Sequence, residues 1–320
     1  MAEFKKVAFV GAGLIGSGLA LNCITHGVPA VLQTHSNVER CRARLEEGLN
    51  FFEENNVITH EQRLEAEKLA TITTSVEEAV TGADFIQESG PDAIEKKWAL
   101  IEEIEKYASP EAIIATSTSS KSITQVFEKA AHPGRCMGGH PYNPAYLIPV
   151  IEITKGQKTE DKYVAVAKEF YSAIGKEPVV LNKEVIGFIC NRFQSAIHRE
   201  VVDLVENGVC SVEDADKAMV YSVGLRWSVM GQFLTLHMGV APEGIAKFNK
   251  KYGIDPTKPD GRLSNMPTWT TFPADWCEKA APGIAEELAH RTEEEGRDIE
   301  SVARWRDKML VETLRLHGKL

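Results

Sequence analysis

The segment VAFVGAGLIGSGLA, residues 7–20, carries the pattern that decides the fold. An apolar run of β type ends in glycines spaced as GxGxxG, and apolar residues with helical spacing follow at once. In this context the first glycine permits a tight turn, the second lets a pyrophosphate approach the backbone, and the third lets helix and strand pack closely. The predicted dinucleotide site at this turn consists of Gly11, Gly13, Leu14, Ile15 and Gly16.

The organisation of the chain changes near residue 184. Up to that point strands and helices alternate, which is typical of a mainly parallel sheet covered by helices. Beyond it, apolar residues recur at spacings of three and four, as in FICNRFQSAIHREVVDLVENG. We therefore predict an α/β domain over residues 1–184 and an all-helical domain over residues 185–320.

Composition excludes several classes of protein. The 320 residues are 43% apolar and 26% charged, as in an ordinary globular protein of about two domains. The net charge of −10 argues against nucleic acid or an anionic membrane as the main partner. The N-terminus lacks the pattern of a signal peptide, which favours the cytoplasm. Six scattered cysteines without a CxxC pair indicate reduced thiols rather than a metal site.

The strand after the glycine turn, AVLQT, ends without the acidic residue that usually binds the adenosine ribose of NAD. Thr34 occupies that position, so no carboxylate repels a 2′-phosphate. Ser36 offers a neutral hydrogen-bond donor, and Arg40 lies close in sequence. Neutral hydrogen bonds to the ribose would suit NAD, whereas the missing carboxylate and the arginine would suit NADP. Both cofactors stay open at this point.

The segment GHPYNPAYLIPVIEI, residues 139–153, has a single carboxylate, Glu152, in its apolar run. A buried charge is costly unless it is paired, so the glutamate needs a partner or a surface position. His140 ends the preceding strand, at the sheet edge where α/β proteins bind ligands. A histidine there can take a proton from a substrate alcohol, and a carboxylate can hold its imidazole in one tautomer. We expect this pairing; the alternative is a structural histidine with a surface glutamate.

Five segments, in this order and spacing, resemble the L-3-hydroxyacyl-CoA dehydrogenase family over nearly the whole chain: GAGLIG, ADFIQES, TSTSS, GHPYNPAYLIPVIEI and GFICNR. The resemblance implies a Rossmann domain, a helical domain that forms a homodimer, and NAD-linked oxidation of a 3-hydroxy group. It implies that His140 is the base and Glu152 its partner. Ser119 and Asn191 would orient the substrate oxygen. Three further residues match positions near the nicotinamide half of the cofactor: Asp92, Lys97 and Asn143.

The segment GLRWSVMGQFLT, residues 224–235, distinguishes branches of this family. It looks like the carnitine dehydrogenases and the L-gulonate dehydrogenases (the λ-crystallin branch), whereas acyl-CoA members tend to be apolar here. The planar guanidinium of Arg226 suits a free carboxylate. Aromatic faces suit the quaternary ammonium of carnitine. The candidates for that contact are Trp227, Phe233, Trp269, Trp276 and Tyr142. The plain alternatives are a surface arginine and core aromatic residues.

The sequence therefore predicts an NAD(P)-dependent dehydrogenase of a free 3-hydroxy carboxylate, with carnitine ahead of L-gulonate. A short-chain 3-hydroxyacyl-CoA dehydrogenase is the nearest alternative, and Arg226 disfavours it. A crystallin-like protein that only binds the cofactor is an alternative of another class. The expected partners are a small hydroxy acid and a second copy of the chain, with no nucleic acid and no membrane.

Overall fold

The computed structural model describes residues 4–320 of the chain, apart from the side chains of residues 261 and 262. The chain divides into two compact units. The first unit runs to Arg192 and also contains Arg304–Leu320, and the second unit is Phe193–Ala303. The fold class predicted from the sequence is confirmed in both parts, an α/β sheet followed by helices.

One sheet organises the first unit. Within the described residues its eight strands are β1 (Val7–Val10), β2 (Ala30–Gln33), β3 (Ala70–Thr73), β4 (Phe85–Glu88), β5 (Ile113–Thr116), β6 (Cys136–Pro141), β7 (Val150–Lys155) and β8 (Glu177–Leu181). Their order across the sheet is β3-β2-β1-β4-β5-β6-β7-β8. Every neighbouring pair is parallel except β6 and β7. β2 lies on one side of β1 and β4 on the other. The chain therefore leaves β1 in one direction and later returns to its other side, which creates the crevice where such sheets bind ligands.

Both faces of the sheet are buried. In β1, Val7 and Phe9 contribute to one apolar core, whereas Ala8 and Val10 contribute to another, and all four are at most 1% exposed. Such a strand reads as a continuous apolar run because helices cover both faces. Strand β3 was not predicted from the sequence, because its four residues, ATIT, are only partly buried and carry little periodicity.

The helices of the first unit follow the expected periodicity. They are α1 (Leu14–Thr25), α2 (Val38–Glu54), α3 (His60–Lys68), α4 (Val76–Val80), α5 (Ile94–Tyr107), α6 (Ile123–Val126) and α7 (Asp161–Ala173), with a 3-10 turn at Pro133–Arg135. The buried residues of α2 are Cys41, Leu45, Leu49 and Phe52, a spacing of three and four that places them on one face. Asn37 caps this helix by accepting a hydrogen bond from the Arg40 N–H at 2.8 Å.

The remaining helices are α8 (Cys190–Glu206), α9 (Val212–Ala218), α10 (Leu225–Trp227), α11 (Gln232–Gly239), α12 (Phe248–Tyr252), α13 (Gly261–Ser264), α14 (Trp276–His290) and α15 (Ile299–Leu316). A π turn lies at Met219–Gly224 and a 3-10 turn at Ile245–Lys247. Within the described residues from 193 to 303 the second unit has helices and turns but no strand.

The C-terminal end of α15 belongs to the first unit. Val311 is fully buried and Leu314 is 9% exposed, and both join the core around the sheet. The Tyr146 hydroxyl donates a hydrogen bond to Oδ2 of Asp307 at 2.5 Å. These contacts explain why the compact units divide at Arg192 and again at Arg304. The domain boundary expected at residue 184 stays a prediction.

Candidate active site

The glycine turn after β1 requires glycine at two of its three positions. Gly11 has φ of +97°, and a Cβ there would lie 2.7 Å from the carbonyl oxygen of Ser89. A Cβ on Gly16 would lie 2.5 Å from the oxygen of Gly11. Gly13 differs, because a Cβ there would meet no atom within 4 Å. The missing side chain of Gly13 therefore leaves the open space that an approaching pyrophosphate needs.

The N-terminus of α1 offers backbone donors to that open space. Its N-cap is Gly13, which has no side chain to accept a hydrogen bond, and its first turn has no acidic residue. The first N–H groups of a helix lack partners within the helix, and the helix dipole favours an anion there. Leu14 and Ile15 begin this helix, and Leu14 is 72% exposed. The turn as a whole thus fits the phosphates of a dinucleotide.

The residues predicted beside the adenosine ribose lie at the neighbouring strand end. Thr34 is the first residue after β2, and Ser36 and Arg40 are exposed. Arg44, one helical turn after Arg40, donates from Nη1 to the carbonyl oxygen of Ala12 at 3.2 Å. Residues four apart share a helix face, so this face of α2 lies beside the glycine turn. Arg44 was not singled out from the sequence.

A fully buried ion pair holds the carboxyl end of β4. Lys97 Nζ donates to the two carboxylate oxygens of Glu88 at 3.1 and 3.0 Å, and the side chains are 1% and 0% exposed. Glu88 also accepts hydrogen bonds from Thr116 Oγ1 at 2.5 Å and from the Gly90 N–H at 2.7 Å. Asp92, half exposed, lies 3.5 Å from the same ammonium. The structure therefore brings Lys97 and Asp92 together, with Lys97 engaged by Glu88.

His140 and Glu152 face each other on the antiparallel strands β6 and β7. Imidazole Nδ1 lies 2.7 Å from Oε2 of Glu152, and the residues are 5% and 0% exposed. Oε1 of Glu152 accepts hydrogen bonds from the N–H groups of Ile189 at 2.7 Å and Cys190 at 2.9 Å. Burial alone would raise the pKa of Glu152, but the hydrogen bonds from His140, Cys190 and Ile189 outweigh burial, and its pKa lies below the ordinary value.

The charge on Glu152 decides the tautomer of His140. An ionised carboxylate only accepts hydrogen bonds, so the proton of a neutral imidazole lies on Nδ1. Nε2 is then the basic nitrogen. The arrangement can accept a proton at Nε2 and stabilise the resulting imidazolium through Glu152.

Asn191, near the start of α8, is held at both ends of its amide. Its Oδ1 accepts a hydrogen bond from the Tyr142 hydroxyl at 2.5 Å, and its Nδ2 donates to the carbonyl oxygen of Ser119 at 3.3 Å. The rings of Tyr142 and Phe188 contact the imidazole of His140, with centroid distances of 5.6 and 5.4 Å. The structure thus connects the four residues predicted at the substrate oxygen: Ser119, His140, Glu152 and Asn191.

The remaining predicted residues are in the segment between β6 and β7 or in the second unit. Asn143 is exposed in the segment between β6 and β7. Arg226, in α10, is exposed, and its side chain makes no hydrogen bond or ion pair with any residue that the structure describes. Trp227 Nε1 donates to Oε1 of Gln232 at 2.6 Å, and Phe233 is 86% exposed. The structure of the second unit therefore leaves Arg226 and Phe233 accessible within that unit.

Two residues of the site were missed by the sequence analysis. Glu88 is the only carboxylate in the buried strand FIQE, which is the same signal that drew attention to Glu152. Tyr142 was considered only as an aromatic candidate for binding a cation, and its hydroxyl has no local sequence signal.

Among the described residues, no group of three or more His, Cys, Asp or Glu side chains could hold a metal ion. No helix in the described part of the chain is long and apolar enough to cross a membrane.

A glycine turn that fits dinucleotide phosphates and a histidine–carboxylate pair at the edge of the same sheet define a nicotinamide-dependent dehydrogenase. Comparison with known proteins agrees. The model of the 3-hydroxyacyl-CoA dehydrogenase NAD-binding domain matches residues 6–185, and the model of the C-terminal domain of the same family matches residues 187–274. The chain belongs to the 3-hydroxyacyl-CoA dehydrogenase family and is an NAD-dependent oxidoreductase.

Named relatives indicate which branch of the family the chain resembles. The chain is 34% identical to the L-carnitine dehydrogenase of Pseudomonas putida, over 98% of this chain and 94% of that protein. It is 31% identical to the L-carnitine dehydrogenase of Oceanobacillus iheyensis, over 98% of both. A similar solved structure is that of 5-formyl-3-hydroxy-2-methylpyridine 4-carboxylic acid 5-dehydrogenase, an NAD⁺-dependent dismutase, with a TM-score of 0.79 and 25% identity over 98% and 97% of the chains. The resemblance to the carnitine dehydrogenase branch is confirmed.

Proposed function

We propose that the protein oxidises the 3-hydroxy group of carnitine, a free hydroxy carboxylate, to the corresponding 3-keto acid. The observation that carries the proposal is the buried pair of His140 and Glu152, which leaves imidazole Nε2 as a base. The names of the relatives, at 31–34% identity over nearly the full chain, support carnitine as the substrate.

NAD supplies the hydride acceptor when it is bound at the glycine turn. His140 takes the hydroxyl proton at Nε2 as the alcohol is oxidised, and Glu152 stabilises the imidazolium that forms. Ser119 and Asn191 orient the substrate oxygen and stabilise its partial charge. The burial of His140 and Glu152 limits the competition of water for these hydrogen bonds.

Arg226 is the proposed partner of the substrate carboxylate. It is exposed in α10, no side chain among the described residues neutralises it, and its planar guanidinium can bind a carboxylate through two parallel hydrogen bonds. Trp227 and Phe233 offer aromatic faces for the quaternary ammonium of carnitine. A thioester substrate has no free carboxylate and gains nothing from Arg226.

A panel of four substrates tests this proposal: L-carnitine, 3-hydroxybutyrate, L-gulonate and 3-hydroxybutyryl-CoA, each with NAD. We expect the highest kcat/KM with L-carnitine and a lower value with 3-hydroxybutyrate, which lacks the cation. Arg226→Met should lower kcat/KM for carnitine by roughly 30- to 5,000-fold. This is the loss of about 2–5 kcal/mol that is expected when one partner of a desolvated charge pair is removed. Lys250→Met, which removes another exposed cation of the second unit, is the matched control.

Two outcomes of the panel would overturn the substrate. Strong activity on 3-hydroxybutyryl-CoA that is indifferent to Arg226→Met would identify an acyl-CoA enzyme. A preference for L-gulonate would identify a sugar-acid enzyme of the same mechanism. Cofactor affinity is measured in the same variants, because its collapse in Arg226→Met would mean that the arginine has a structural role.

We also propose that NADP is accepted alongside NAD. Thr34 at the end of β2 carries no negative charge, and Arg40 and Arg44 lie on the adjacent face of α2. Thr34→Asp should disfavour NADP strongly and leave NAD unchanged or improved, because the new carboxylate repels a 2′-phosphate. Equal responses of the two cofactors would mean that Thr34 does not lie at the ribose.

The chain is further proposed to form a homodimer. Several large apolar residues of the second unit are more than half exposed within the single chain, among them Val220, Tyr221, Leu225, Val229, Leu234 and Met238. Exposed apolar area of this extent is typical of a protein–protein interface. Sedimentation equilibrium should show a dimer that Val229→Glu weakens, and a monomeric wild type would contradict the proposal.

A further inference from the structure

The orientation of the Asn191 amide has a chemical consequence at the proposed site. An amide oxygen accepts hydrogen bonds, whereas an amide NH₂ donates two. One N–H of Asn191 Nδ2 donates to the carbonyl oxygen of Ser119 at 3.3 Å. The second N–H remains for the substrate oxygen, which becomes negatively charged as its proton leaves. Rotation of the amide by half a turn would put Oδ1 in the place of Nδ2. Oδ1, an acceptor, would then face two other acceptors, the carbonyl oxygen of Ser119 and the substrate oxygen.

The hydrogen bond between Asn191 and Ser119 is long and does not by itself hold the amide firmly. The Tyr142 hydroxyl lies 2.5 Å from Oδ1 of Asn191 and donates to it. Burial, together with the charges of Cys190 and Glu152, raises the pKa of Tyr142 to about 12. The phenol therefore remains a donor over the whole pH range in which the enzyme is assayed.

The ring of Tyr142 is held independently of its hydroxyl. It meets the imidazole of His140 edge to face, with an interplanar angle of 72° and a centroid distance of 5.6 Å. Phe188 contacts the same imidazole at 5.4 Å, and Phe188 is 1% exposed. The hydroxyl is thus directed at Asn191 by a packed ring, and its removal leaves that packing intact.

We propose that Tyr142 is a positioning residue, whose hydroxyl, by donating to Oδ1, holds the Asn191 amide in the orientation that presents Nδ2 to the substrate oxygen. This proposal rests on the proposed function of Asn191. It makes the tyrosine hydroxyl act on turnover through the asparagine and not through the histidine that its ring contacts. The two routes are separable, because one depends on Asn191 and the other does not.

A double-mutant cycle separates them. Tyr142→Phe should lower kcat by about tenfold, the value of one hydrogen bond of ordinary strength, and leave cofactor affinity unchanged. In an Asn191→Ala background the same change should alter kcat by less than about twofold, because no amide remains to be oriented. Tyr163→Phe is the matched control, since the Tyr163 hydroxyl donates to Glu111 at 3.0 Å on the surface. Equal losses in both backgrounds would overturn the proposal.

A second measurement does not depend on turnover. The side-chain amide resonances of Asn191 are assigned in a ¹⁵N-labelled protein by their loss in Asn191→Ala. Wild type should show one pair of resonances, and Tyr142→Phe should show a second set or exchange broadening as the amide rotates. An unchanged amide spectrum in Tyr142→Phe would refute the positioning role. A wild type that oxidises none of the panel substrates would refute the proposed function instead, and the spectra would still decide the role of Tyr142.

Discussion

Two carboxylates are fully buried at the same edge of the sheet, and their partners give them different uses. Glu88, at the end of β4, receives two hydrogen bonds from Lys97, one from Thr116 and one from the Gly90 N–H. Glu152, in β7, receives two backbone hydrogen bonds at Oε1 and the imidazole of His140 at Oε2. Each charge is compensated, as a buried charge must be.

The partner of each carboxylate explains why Glu88 has a structural use and Glu152 a use in proton transfer. The Lys97 ammonium donates to both carboxylate oxygens of Glu88. It also lies 3.5 Å from the carbonyl oxygen of Gly90 and 3.5 Å from Oδ1 of Asp92, so this pair holds the loop after β4. His140 binds Glu152 through one nitrogen and keeps the other as a base. The pair of Glu88 and Lys97 is therefore structural, because hydrogen bonds occupy both charged groups. The pair of Glu152 and His140 is suited to proton transfer, because the imidazole keeps one nitrogen that can accept a proton.

Of the changes that break one of the two buried pairs, Glu152→Gln should have the larger effect on turnover. The N–H groups of Ile189 and Cys190 will hold the amide oxygen of the glutamine, which turns its NH₂ toward Nδ1 of His140. The imidazole proton then moves to Nε2 and the base is lost, so kcat should fall by about 10²–10⁴. Steady-state kinetics with NAD and a hydroxy acid measure this loss. A variant with more than half of the wild-type kcat would remove Glu152 from the proposed mechanism.

Breaking the other pair should affect stability more than chemistry. Lys97→Met leaves Glu88 buried without a countercharge and should lower the free energy of unfolding by about 3–5 kcal/mol. Lys155→Met removes an exposed pair with Asp161 at 2.9 Å and should cost less than about 1 kcal/mol. Urea unfolding measures both values. Equal costs would show that Glu88 and Lys97 are not the saturated buried pair described above.

Lys176 is a buried lysine like Lys97, but its hydrogen bonds go to carbonyl oxygens and not to a carboxylate. These are the carbonyl oxygens of Ala145 and Ile148. Burial lowers its pKa to about 7. Between about pH 7 and pH 10 the unfolded chain binds the proton that the folded chain has lost, so this group makes stability rise with pH. The stability of wild type relative to Lys176→Met should increase by up to about 1.4 kcal/mol per pH unit.

Urea unfolding of both proteins at about pH 7.5, 8.5 and 9.5 tests the sign and the slope. The difference between the proteins is the relevant quantity, because other groups titrate equally in both. Lys155→Met, with its exposed ammonium, should follow wild type in slope. A constant difference between wild type and Lys176→Met would mean that Lys176 stays charged in the folded protein.

Local patterns in the sequence predicted most of the fold and the pairing of His140 with Glu152. Periodicity and apolar runs identified the strands other than β3, and one carboxylate in an apolar run pointed to a buried partner on the adjacent strand. The same reasoning applied to FIQE would have found Glu88. Contacts that depend on the path of the chain had no such signal. Tyr142 and Asn191 are 49 residues apart, and Tyr146 meets Asp307 across 161 residues.

The central claim is that Nε2 of His140 is the base, and matched histidine variants test it most directly. His60 also pairs with a glutamate, with Nδ1 2.9 Å from Oε1 of Glu53, but on the surface. His140→Gln should lower the rate of NADH formation from the hydroxy acid by about 10²–10⁴ while cofactor fluorescence reports unchanged binding, and His60→Gln should match wild type. Turnover of His140→Gln close to wild type would contradict the account.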